Sequence, residues 1–89
     1  MKETSKKLIS KYGREHELKK VLEEMNELAN EIFRDINHDE VIREKILEER
    51  VDVELMLKML DQIYCFEDKD IKFIWELKKN KINEKYLEG

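Results

Sequence analysis

Leu18, Val21, Met25, Leu28, Ala29, Ile32 and Ile36 recur at steps of three and four with polar residues between them. That spacing predicts one long helix from Arg14 to Ile36. Ahead of it, Thr4 to Lys11 has the length of a short helix, ended by Tyr12-Gly13. Asn37-His38-Asp39 is the clearest turn signal of the first half, and Asp39 is the expected N-cap of a second long helix from Glu40 to Tyr64. Cys65-Phe66-Glu67-Asp68 reads as another connection, with Asp68 as the cap of a last helix from Lys69 to Tyr86. The pattern predicts an all-α fold: a helical bundle of three main helices plus a short N-terminal helix. Residues 1–89 form a single domain, with no repeat, low-complexity tract or linker.

Composition supports helices and narrows the function. There is no proline, and Gly13 and Gly89 are the only glycines, whereas sheets need turn residues. Charged residues make up 45% of the chain in both signs, as expected of long solvated helix faces. With 89 residues the chain can bury only a modest core, so a staple or a partner is expected. Cys65 is the only cysteine, which excludes an internal disulfide and suits a reducing compartment, where a lone thiol usually packs as a small apolar residue. No N-terminal run reads as a signal peptide and no apolar stretch nears the ~20 residues of a membrane span, so a soluble cytoplasmic protein with no membrane partner is expected. The net charge of −4, without a basic patch carrying interleaved aromatics, argues against a nucleic-acid polymer as partner. The same composition suits a plain helical interaction module.

Acidic residues in the wrong place set this chain apart from such a module. At ~100° per residue, Met56, Met59, Leu60 and Ile63 form one narrow stripe, and the stripe continues backward through Asp52, Glu49 and Lys45. Carboxylates on a core-facing stripe cost several kcal/mol unless paired, hydrated or bound to metal. The alternative is that the second long helix leaves the core in its N-terminal half. On the first long helix Glu24 lies roughly 40° from Leu28, and Glu27 follows on the same flank. Glu23 precedes Glu24 as Glu48 precedes Glu49. Packed antiparallel, two such helices would gather four to six carboxylates, and a hard divalent cation is the natural compensation. Oxygen donors without His or Cys suit Mg²⁺, with Mn²⁺ as a substitute, and Mg²⁺ held by few carboxylates keeps positions open for substrate phosphates.

Lys78, Lys81 and Lys85 share a stripe on the last helix with Ile74 and Leu77, where they serve either as phosphate partners or as ordinary solvated lysines favoured near a helix C-terminus. Other candidates are weaker. His16 and His38 are far apart in register and read as surface residues. Asp68-Lys69-Asp70 lacks the glycine and terminal glutamate of a calcium loop, and Met56 and Met59 read as core. Trp75 and Phe73 read as packing or dimer contacts.

Glu23-Glu24-Met25-Asn26-Glu27 followed by Glu48-Glu49-Arg50-Val51-Asp52 resembles the EExxE…ExxD signature of MazG-like all-α nucleoside triphosphate pyrophosphohydrolases. The match is closer to the short single-domain forms common in Gram-positive bacteria and their phages. Tyr12-Gly13, Leu18-Lys19-Lys20-Val21-Leu22, Asp52-Val53-Glu54-Leu55-Met56-Leu57 and the basic run from Glu76 to Lys85 also look like that group. The resemblance covers residues 10–86 in order. Arg50 stands where these relatives carry an apolar residue, Val51 where a small one is common, and Lys81 and Lys85 where arginines are frequent.

The resemblance implies an enzyme that converts a nucleoside triphosphate and water to the monophosphate and pyrophosphate. It implies Glu24, Glu27, Glu49 and Asp52 as metal ligands and Glu23 and Glu48 as supporting catalytic residues beside Glu24. Lys78, Lys81 and Lys85 would support the phosphates. It also implies a homo-oligomer, dimer or tetramer, that completes the small bundle. The rival expectations are a non-catalytic helical interaction module and a nucleotide-binding regulator on the same fold.

Overall fold

Gly13 separates the first two helices because its backbone serves both. In the computed structural model, which describes residues 1–38, 40 and 42–88, it lies at φ 89° and ψ 159° between α1, Lys2–Tyr12, and α2, Arg14–Ile36. Its N–H donates to the Ile9 carbonyl at 2.9 Å, and its own carbonyl accepts the Glu17 N–H at 3.2 Å. A β-carbon at this position would meet nothing within 4 Å, so the constraint is the backbone conformation alone. Only glycine reaches that region without strain. Gly13→Ala is therefore expected to cost about 1–3 kcal/mol in urea unfolding, with native helicity retained. An unchanged midpoint would mean that the turn does not hold this conformation.

The remaining elements are α3, Arg43–Tyr64, α4, Asp68–Ile82, and a π-helical turn, Asn83–Glu88. There is no strand among the described residues, and no helix among them is long and apolar enough to cross a membrane. The all-α class expected from the pattern is the class observed. Several ends differ. α3 starts at Arg43 rather than Glu40, because Ile42 is still extended at φ −94°, ψ 120° and the Glu40 carbonyl accepts a hydrogen bond from Arg34 at 3.1 Å. The expected cap at Asp39 lies outside the described residues. Glu67, not Asp68, stands at the N-cap of α4, and its carbonyl accepts the N–H groups of Asp70 and Ile71 at 3.0 and 3.1 Å. Asp68 falls in the first turn, where a carboxylate complements the helix dipole. The last helix does not continue as an α-helix to Tyr86. It changes to π-helical winding after Ile82.

Cys65 closes α3 in the left-handed region at φ 57°, ψ 37°, and the Phe66 N–H reaches back to the Asp61 carbonyl at 2.9 Å. The thiol is exposed. It does not pack as the small apolar residue expected of a lone cysteine, because the cap position turns it away from the helix interface.

α2 and α3 form the main antiparallel contact, and α1 lies against both. α4 is different: no Cα of α4 comes within 8 Å of a Cα in α1, α2 or α3. The packed unit thus contains the short N-terminal helix and lacks one of the three main helices expected in the bundle. Accordingly, the radius of gyration is 16.2 Å, against about 12 Å for a compact chain of this length. Val21 and Met59 are the only apolar side chains fully buried among the described residues.

The inward face of α2 follows the apolar stripe only in part: Leu18, Val21, Leu28 and Ala29 are buried or half-buried. Met25, Ile32 and Ile36 are exposed, while Glu17, Val21, Glu24, Leu28 and Glu31 turn inward at steps of four and three. On α3 the inward line is Ile46, Glu49, Val53, Met56 and Met59. Carboxylates therefore lie in both packed faces, and α3 does not leave the core in its N-terminal half.

Candidate metal centre

Glu24 takes a position on α2 between Val21 and Leu28 that would otherwise be apolar. Glu49 does the same on α3 between Ile46 and Val53, and Asp52 follows one turn later. Because the two helices run antiparallel, these three meet. One carboxylate oxygen from each of Glu24, Glu49 and Asp52 lies within 4.8 Å of the others. Glu49 is only 5% exposed, Glu24 is half-buried and Asp52 is exposed, so the cluster is closed at its base and open on one side.

The electrostatics are unfinished. Lys45 Nζ lies 2.9 Å from Glu49 Oε1, and this hydrogen bond and charge hold the ammonium above its ordinary pKa. The other Glu49 oxygen is buried without a hydrogen-bond partner, and so is Glu24 Oε2. Burial pushes the Glu24 carboxyl above its usual range, and the negative charges of Glu27, Asp52 and Glu49 push it the same way. Buried polar atoms are nearly always satisfied in folded proteins. Two orphaned carboxylate oxygens, on residues clustered with a third acid, are available to a cation. An all-oxygen donor set of this kind fits Mg²⁺ or Mn²⁺.

Of the four expected ligands, the structure gathers Glu24, Glu49 and Asp52. Glu27 is exposed and stands beside Glu24, close enough to share a hydrogen bond with it. Glu23 is exposed and pairs with Lys20 at 3.3 Å. Glu48 is exposed on α3, and its charge reaches Lys45. Lys78 and Lys81 lie on α4 and Lys85 in the π-helical turn. Since α4 approaches neither α2 nor α3, one chain does not bring these lysines together with the acids. Arg50 pairs with Glu54 at 2.9 Å in solvent, and Val51 is exposed, so neither departure from the MazG-like pattern enters the cluster.

Pattern reading overlooked Glu17. It is 3% exposed, lies two turns before Glu24 on the same inward line, and has its Oε1 3.2 Å from His16 Nδ1. The His16 ring stacks on Tyr12 with centroids 5.1 Å apart. These residues, with Lys20 and Met56, line a cleft of about 450 Å³ that reaches Glu24. The seven-residue interval between Glu17 and Glu24 was the available signal, masked by the abundance of acids.

Compared with protein-family models, with curated proteins and with solved structures, the chain gives no match. The functional reading therefore rests on the motifs and on the geometry of the cluster.

Proposed function

We propose that the chain is a Mg²⁺-dependent nucleoside triphosphate pyrophosphohydrolase of the MazG-like kind. The observation that supports this most is the pair of unpartnered, buried oxygens on Glu24 and Glu49, set beside Asp52 on two packed helices. In this reading Glu24, Glu49 and Asp52 hold Mg²⁺, with Glu27 alongside. The bound cation supplies Lewis-acid polarisation of the triphosphate and spreads its developing charge. Water attacks the α-phosphorus, the bond from it to the bridging oxygen breaks, and pyrophosphate leaves. A carboxylate at the cluster takes the proton of that water. Lys20, which lines the cleft with Glu24, and Lys45, which touches Glu49, would meet phosphate oxygens. The cleft past Tyr12 and His16 would receive the rest of the nucleotide.

A panel of ribo- and deoxyribonucleoside triphosphates with Mg²⁺ tests the reading. Monophosphate and pyrophosphate are the expected products. Diphosphate and orthophosphate would contradict attack at the α-phosphorus. Saturable nucleotide binding with no product would favour the regulator on the same fold, which the separation of α4 from the cluster also suits. Absence of both binding and turnover would leave the interaction module.

A further inference from the structure

Two turns before Glu24, on the same line of α2, lies a buried acid that the metal cluster does not use. Glu17 is 3% exposed and lines the cleft of about 450 Å³ that reaches Glu24. Lys20 stands between them, so carboxylate, ammonium and carboxylate follow one another along the cleft at steps of three and four. The span is roughly 10 Å at 1.5 Å per residue. Leu8 of α1 and Met56 of α3 give the cleft apolar lining, and Tyr12 with its stacked His16 gives it an aromatic one. A flat group with apolar faces and a polar edge fits such a space.

Glu17 decides which edge. An ionised carboxylate only accepts hydrogen bonds, so His16 Nδ1 is the donor in its 3.2 Å contact with Glu17 Oε1. A carboxylate has about four acceptor sites, and His16 takes one of them. Among the described residues His16 is its only ion-pair partner, since Lys20 turns to Glu23. A base that offers donors to both oxygens therefore suits Glu17 better than one that sets an acceptor beside its donor. Guanine offers two adjacent donors, the ring N1–H and the exocyclic N2 amine. Adenine and cytosine each place a ring-nitrogen acceptor next to their amine, and uracil and thymine flank their single N–H with carbonyls. An acceptor held against a buried carboxylate is repelled and left unpaired, which is costly away from water.

We propose that Glu17 is the base-reading residue of the cleft and that it selects guanine nucleotides. The N1–H and N2 amine of the base donate to the Glu17 carboxylate, its faces meet the apolar and aromatic lining, and the sugar leads past Lys20 toward the metal cluster. This accounts for an acid kept nearly out of water at a position where an apolar side chain would pack without the cost of desolvating a charge. The inference rests on the hydrolase reading for placing the phosphates at Glu24, Glu49 and Asp52, whereas the base site itself needs only Glu17 and the cleft.

The full chain is titrated calorimetrically in Mg²⁺ with GMP, AMP, CMP and UMP, which bind without turnover. GMP is expected to bind at least about tenfold tighter than the other three. IMP keeps N1–H and lacks the amine, so it should fall between. N1-methyl-GMP has one donor blocked and should bind no better than AMP. These comparisons need wild type alone. Glu17→Gln keeps the side-chain shape but sets an amide donor against the base; it should bring GMP to within about twofold of AMP and leave the stabilisation by Mg²⁺ unchanged. No detectable GMP binding, monophosphates that bind equally, or a preference for another base would overturn the inference. So would N1-methyl-GMP binding like GMP, or a folded Glu17→Gln that keeps the guanine preference. GMP selectivity without turnover of GTP would count against the hydrolase reading alone, and equal turnover of all triphosphates against this inference alone.

Discussion

Glu49→Gln is expected to lower Mg²⁺-dependent turnover by more than about 100-fold while leaving the metal-free protein at least as stable as wild type. The two effects separate because losing the contact with the half-exposed Lys45 ammonium costs little and is offset by a less crowded acidic cluster. Glutamine keeps the volume in a position 5% exposed, and its amide brings a donor into the carboxylate cluster. Removing one negative charge also relieves the repulsion that now raises the Glu24 pKa. A merely structural role predicts the opposite on stability: lower melting, with activity lost in proportion to unfolded protein. Thermal melting with and without Mg²⁺ distinguishes them, since the wild type should gain stability from the ion and the variant should not. Turnover within twofold of wild type would show that Glu49 is no ligand.

Met59→Ala has the largest expected effect on stability. Met59 has no exposed surface, and Val21 is the only other fully buried apolar side chain among the described residues. Truncating a buried methionine to alanine costs about 2–5 kcal/mol, while a chain of this length has a total of roughly 4–13 kcal/mol. The variant should therefore unfold at much lower urea than wild type. A cost under about 1 kcal/mol would mean that the α1–α2–α3 contact is not where the fold is held.

The elements were legible in the sequence to the extent that local chemistry sets them. Gly13 and the apolar spacing fixed both ends of α2, and Tyr64-Cys65 fixed the end of α3. The start of α3 was misplaced by three residues because Arg34 reaches across to the Glu40 carbonyl, a tertiary contact with no local signature. The inward face of α2 was legible in part: Leu18, Val21, Leu28 and Ala29 of the apolar stripe are buried or half-buried, whereas Met25, Ile32 and Ile36 are exposed. Of the candidate site, Glu24, Glu49 and Asp52 followed from motif spacing plus helix periodicity. Glu17 did not, since its seven-residue spacing from Glu24 was masked by the many other acids of the chain. The displacement of α4 was equally unreadable. Periodicity shows which side of a helix is apolar, but not whether that side meets its own chain or another.

The central claim is that the Glu24, Glu49 and Asp52 carboxylates hold a divalent cation. Anomalous diffraction at the manganese edge from a crystal soaked in Mn²⁺ tests it most directly. The expected result is one peak at bonding distance from an oxygen of each of the three residues, including Glu49 Oε2, with the Lys45 ammonium displaced from its present contact. No peak there, with the two orphaned oxygens met by protein or water donors instead, would contradict it.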